Sequence, residues 1–240
     1  MATSVKVGHN LTGVQMSPDD SKKQMEATQI FPADIPGDDT ALRKARILEI
    51  NEHPPIGTVP VPGSVKGAVK TTFEKLLGKN PEVLIDKIAE RLAFERTGVR
   101  LYDALLAKAY ALEPGDARLI EMLQQFQREE LEHFHLLVGA LEHLGADPTA
   151  QTPGADLAGV SAQGVLKILT DPRTNLAQSL NAILIAELAD NAGWELLIAL
   201  ADQAGQTEFV KSFTRAREEE DHHLVEIKRL LRLELAADLS

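Results

Sequence analysis

From residue 82 onward, apolar positions recur at alternating steps of three and four, the spacing that lines one face of an α-helix. Within 82–112, Ile85, Ile88, Leu92, Glu95, Val99, Tyr102 and Leu106 share such a face. A second stripe over about 116–144 joins Leu119, Met122, Phe126, Glu130, His133, Leu137, Ala140 and Leu144. A third, about 175–204, aligns Leu180, Leu184, Glu187, Asn191, Trp194 and Ile198. A fourth long helix is expected over about 206–236. "EPGD" at 113–116 and "GQ" at 205–206 are stop-and-start signals. Links this short make each pair of helices an antiparallel hairpin. The stretch 145–174, with a short helix expected near 161–170, is long enough to cross from one end of the assembly to the other. The pattern therefore predicts an all-α fold: two antiparallel hairpins joined by a long crossover, a four-helix bundle running up-down-down-up.

Residues 1–80 follow a different pattern. Eight of the twelve prolines fall at or before position 81, and "NEHPPIGTVPVPGS" must run extended or turn. Short helices are expected at about 40–50 and 64–77. The division expected is an irregular N-terminal arm over 1–80 and a helical bundle over 81–240, with the arm lying against the body or a neighbouring subunit.

The inward stripes carry charge at mid-helix, where leucine or isoleucine would otherwise stand. Glu95, Glu130, His133 and Glu187 sit there, and "REEEDHH" at 217–223 supplies Glu219 and His222 from the fourth helix. Residues three apart share a helix face, so each Glu-x-x-His can aim a carboxylate and an imidazole at one centre. Four carboxylates in a dry core cannot all stay ionised uncompensated, since each costs several kcal/mol or more to desolvate. Two divalent cations would balance the charge and occupy the lone pairs. An alternative frame, Glu132/His135 with Glu220/His223, departs from the apolar register.

Composition narrows the chemistry. The chain has no cysteine, which excludes disulfides, thiolate metal sites and thiol nucleophiles, while oxygen and imidazole donors suit iron or manganese. A net charge of −11 argues against a nucleic-acid partner. "MATSVKVGHNLTG" holds no apolar run of signal-peptide length, and no window approaches a membrane span; the expected compartment is the cytoplasm.

On "AFERTGVRLYDAL", "REELEHFHLL", "LIAELADNAGW" and "REEEDHHLVEI", the chain over about 82–236 resembles the ferritin-like superfamily of di-iron carboxylate proteins, with rubrerythrin and bacterioferritin the nearest patterns. The resemblance implies two iron ions per chain, or manganese or a mixed pair. Glu130 and Glu219 would bridge them, Glu95 and Glu187 would be terminal ligands, and His133 and His222 would hold one ion each. It further implies that Glu129 and Glu218, directly preceding the two motifs, each fix the imidazole of the opposite motif, and that Tyr102 hydrogen-bonds a ligand carboxylate. Trp194, two turns beyond Glu187, would narrow the cavity or donate an electron. The implied activity is oxidation by O2 or H2O2 of ferroxidase or peroxidase type, with an external electron donor and a homodimer as the assembly. A manganese catalase, an iron-storage subunit and an organic-substrate oxidase are the alternatives.

Overall fold

The computed structural model describes residues 5–34, 37–61 and 80–239; the helix expected at 64–77 lies outside them. The chain divides into two compact units, Met1–Pro55 and Ile56–Ser240. In the first, a 3-10 turn (Val14–Met16) precedes helices α1 (Pro18–Ile30) and α2 (Thr40–Glu52), neither of which buries a residue. α2 is the helix expected at 40–50. α1 was not expected; it starts with proline in its first turn and places Asp19 and Asp20 there, where the helix dipole favours acids. The second unit begins well before residue 80. Val59 already packs against its core, because an extended proline-rich stretch can still bury single apolar side chains.

That second unit is built on four long helices: α3 (Pro81–Leu112), α4 (Ala117–His143), α7 (Leu176–Gln203) and α8 (Thr207–Leu239). Among the described residues every regular element is helical. Local chemistry sets the ends. The Asp116 side chain accepts from Leu119 N, and Asn175 and Gln178 form a reciprocal capping box. Gly145 (φ 78) and Gly205 (φ 71) close α4 and α7. In each case the following N–H bonds the carbonyl five residues back, Leu141 and Ala201 respectively, a conformation that favours glycine.

The crossover carries two helices rather than one, α5 (Pro153–Ser161) and α6 (Gln163–Thr170). α5 begins where Thr152 accepts from Ala155 N with proline in the first turn, and Gly154 N donates to Asp86 Oδ1 of α3 (2.8 Å). α3 packs on α4, α7 on α8, and the two hairpins meet through α3–α7 and α4–α8. Arg91 meets Asp190 while Tyr102 meets Glu187, and Glu129 meets His223 while His133 meets Glu219. Both cross-hairpin pairs are therefore antiparallel, and the four helices run up-down-down-up.

Two apolar clusters fill the interior. One gathers Ile88, Leu92, Leu137, Leu141, Leu197 and Phe213; the other gathers Leu101, Leu105, Leu123, Phe126, Leu180 and Ile227. Along every long helix a buried polar layer interrupts them. No helix among the described residues is long and apolar enough to cross a membrane.

Candidate metal centre

The polar layer consists of Glu95 from α3, Glu130 and His133 from α4, Glu187, Asp190 and Asn191 from α7, and Glu220 and His223 from α8, all buried. The first three helices deliver the expected residues. On α8 the register differs by one. Glu219 has a side chain 29% exposed and His222 is exposed, while Glu220 and His223 are at 0%. The reason lies in α8's own apolar stripe. Phe213, Ala216 and Ile227 are its buried apolar residues, and continuing their three-four step lands on 220 and 223. The structure thus joins Glu130/His133 of one frame to Glu220/His223 of the other; Glu132 and His135 face outward.

The residues directly preceding the two inward glutamates hold the imidazoles crosswise. His223 Nε2 is 2.7 Å from Glu129 Oε2, and His133 Nε2 is 2.9 Å from Glu219 Oε2. Glu218, expected in the second role, is exposed; Glu219 takes it because the motif itself has moved one place. A carboxylate on the outer nitrogen fixes the ring and leaves Nδ1 to face inward.

Both Nδ1 atoms converge on Glu220. His133 Nδ1 lies 2.7 Å from Glu220 Oε1 and 3.7 Å from Glu95 Oε2. His223 Nδ1 lies 3.1 Å from Glu220 Oε2, 3.8 Å from Glu130 Oε1 and 3.9 Å from Glu187 Oε2. One carboxylate therefore offers an oxygen to each imidazole. Donor atoms of Glu95, His133 and Glu220 lie within 4.8 Å of one another, as do those of Glu130, Glu187, Glu220 and His223, and those of Glu95, Glu130, Asp190 and Glu220.

These donors are close without hydrogen-bonding. Both oxygens of Glu95 and of Glu220, one each of Glu130 and Glu187, and Nδ1 of both histidines are buried without a hydrogen-bond partner. Polar atoms without a hydrogen bond are rare in folded interiors; here Glu220 is ion-paired with both Nδ1 atoms, while oxygens of Glu95, Glu130 and Glu187 lack a hydrogen bond. The buried Glu and His groups could hold metal ions.

Protonation reflects the same crowding. Burial, then the charges of Glu220 and Glu95, push Glu130 well above the usual carboxylate range. Burial and Glu220 push Glu187 up to about 8. For His133, burial opposes charge, but the facing Glu220 and Glu95 outweigh it and raise the imidazole to about 11. The same balance, with Glu220 and Glu129, raises His223 to about 10. Burial would raise Glu220 as well, yet the two imidazoles hold it below its ordinary value.

Around this layer, Tyr102 Oη donates to Glu187 Oε1 (2.5 Å), leaving Oε2 unpartnered, and burial together with the Glu187 charge raises the phenol. The Trp194 ring stands edge-on to His133 (5.7 Å, 72°) and walls that side. Asn191 Nδ2 donates to the carbonyls of Glu187 (3.0 Å) and Glu220 (3.2 Å), tying α7 to α8. Asp190 is both a site acid and the partner of Arg91, whose Nη1 reaches its carboxylate (2.5 Å) and its carbonyl (3.0 Å). Sequence reading passed over Arg91; only its position inside a buried turn of α3 signals it.

Gly98 makes room for Glu130. A Cβ there would lie 2.7 Å from Glu130 Cδ and overlap Oε2. Gly98→Ala should therefore displace the carboxylate. The chain should stay helical by circular dichroism, since alanine favours a helix by roughly 1 kcal/mol, while metal retained after desalting falls. Unchanged retention would show that Glu130 is not a ligand.

No family model matches the chain, and neither a curated protein nor a solved structure matches it.

Proposed function

We propose that the polar layer holds two divalent metal ions, iron in the first instance, and that the protein is an oxidoreductase acting on O2 or H2O2. The observation that carries this reading is Glu220, with one oxygen toward each inward Nδ1 amid orphaned carboxylates. Its likeness to the ferritin-like ligand set, four glutamates and two histidines on facing helices, supports it. Glu95 and His133 would hold one ion, Glu187 and His223 the other, with Glu220 shared and Glu130 beside both. Bound iron would supply electrons to dioxygen or peroxide; bound manganese would suit peroxide disproportionation.

The chain's own residues do the rest. Glu129 and Glu219 hold the imidazoles in one tautomer and orientation. Tyr102 pins one oxygen of Glu187 and leaves the other for a cation. The apolar clusters on either side exclude bulk water, which strengthens every charge interaction between them. A cleft of about 240 Å³ between α4 and α8, lined by Glu132, Leu136, Arg215 and Ala216, reaches His133 and Glu219 from the surface and offers a route in.

Anaerobic loading with Fe(II), desalting and metal analysis should give about two ions per chain. Exposure to O2 or H2O2 should then oxidise that iron faster than iron in buffer. Rapid O2 release from peroxide by the manganese-loaded protein alone would favour a catalase. Retention of neither metal would end the reading.

A further inference from the structure

Beside the polar layer, α3, α5 and α7 line a second cavity of about 310 Å³ that is open to solvent, within the size range of small-molecule sites. Its walls are mainly apolar, with Phe94, Leu157, Ala158 and Ala189 contributing. Arg91 lines it, 4% exposed, and its Nε is buried without a hydrogen-bond partner. The guanidinium is held in place: Nη1 bonds Asp190 and the group lies 4.2 Å over the Phe94 ring. Gly193 completes the cradle, because a Cβ there would lie 2.7 Å from Arg91 Cζ and 3.1 Å from Nε.

We infer that this cavity is a binding site for a small organic monocarboxylate with an apolar body. A buried guanidinium donor without a partner is matched by a carboxylate, the acceptor that arginine pairs with in plane. The apolar walls take the remainder of the ligand. One cation and no second basic residue in the lining disfavour a phosphate. Glu90, which also lines the cavity and is itself paired with Lys87 (2.5 Å), further disfavours a dianion. Asp190 places this site one ion pair from the carboxylate layer, so a ligand here would sit beside any chemistry carried out there. The binding itself stands whether or not metal is held.

Hexanoate, hexanol and hexylamine would each be titrated calorimetrically into the metal-free full-length chain. Hexanoate should saturate at one per chain, with hexanol weaker by about tenfold or more, since only the acid satisfies the guanidinium. Arg91→Met tests the donor but leaves Asp190 buried and unpaired, so two variants outside that pair accompany it. Ala189→Phe, at an exposed wall position, should weaken hexanoate about tenfold or more by filling the cavity. Glu90→Gln should tighten it several-fold by removing a like charge. Equal affinity for hexanol and hexanoate, no saturable hexanoate binding, or an unchanged titration in Ala189→Phe would overturn the assignment. Because metal stoichiometry is read separately, failure here leaves the metal reading standing, and the converse also holds.

Discussion

Replacing Glu220 by alanine should abolish the proposed metal retention, whereas replacing Glu219 should not. Glu220 is fully buried, faces both inward Nδ1 atoms and belongs to all three donor groups. No neighbouring carboxylate can serve both imidazoles in its place. The variant should fall from about two ions per chain to about none. Its metal-free form should change little in stability, because each imidazole keeps its outer carboxylate and the neighbouring acids lose a repelling charge. Glu219→Ala removes only the outer partner of His133, so stoichiometry should hold while affinity falls about 10–100-fold. His222→Ala, at an exposed position, should change neither. Metal analysis and urea denaturation of the three variants check this together. Full metal content in Glu220→Ala, or its loss in His222→Ala, would restore the other register.

The overall constant for binding two ions should climb about 100-fold or more for each pH unit near neutrality, about tenfold for each ion's own imidazole, because metal ligands must give up their protons. With His133 at about 11, His223 at about 10 and Glu187 at about 8, all three carry protons at pH 7 in the metal-free chain. Two displaced imidazole protons contribute about a hundredfold per unit, and Glu187 adds to it below pH 8. The metal-free chain runs the other way. These groups hold protons more tightly folded than unfolded, so the stability they lend is greatest at low pH. For Glu187 it is lost between about 4.5 and 8, and for the histidines between about 6.5 and 10–11. Calorimetry in buffers of differing ionisation enthalpy counts the released protons, and thermal melts across pH give the opposing trend. Binding without proton release would remove the facing-charge account of these imidazoles.

The helical part of the fold was legible because three-four periodicity over long segments leaves little choice of face. Glu95, Glu130, His133 and Glu187 interrupt stripes otherwise built of Leu, Ile and Phe, so their inward direction followed from their neighbours. "REEEDHH" offered no such anchor: four acids from 218 to 221 and two adjacent histidines admit two registers, of which the sequence reading takes Glu219/His222. Phe213, Ala216 and Ile227 hold the missing information, and extending their stripe through the motif selects Glu220 and His223. The crosswise role of the preceding acid was right in kind, and so moved with the register from Glu218 to Glu219. Asp190, one turn beyond Glu187, reads from sequence as either cavity lining or helix packing, but its pairing with Arg91 was illegible for another reason. The two stand 99 positions apart, and nothing local to either announces that packing will bring them together.

The crosswise bonds from Glu129 to His223 and from Glu219 to His133 also bear on how the chain is made. Synthesis delivers the first hairpin long before the second. When α4 has emerged, Glu95, Glu130 and His133 exist without Glu220, and His133 lacks the partner that orients it. On the proposed metal reading, that fragment would be a poor trap for passing cations. Capture would begin only when α8 arrives and both imidazoles are fixed, so a chain released early would carry no half-built centre.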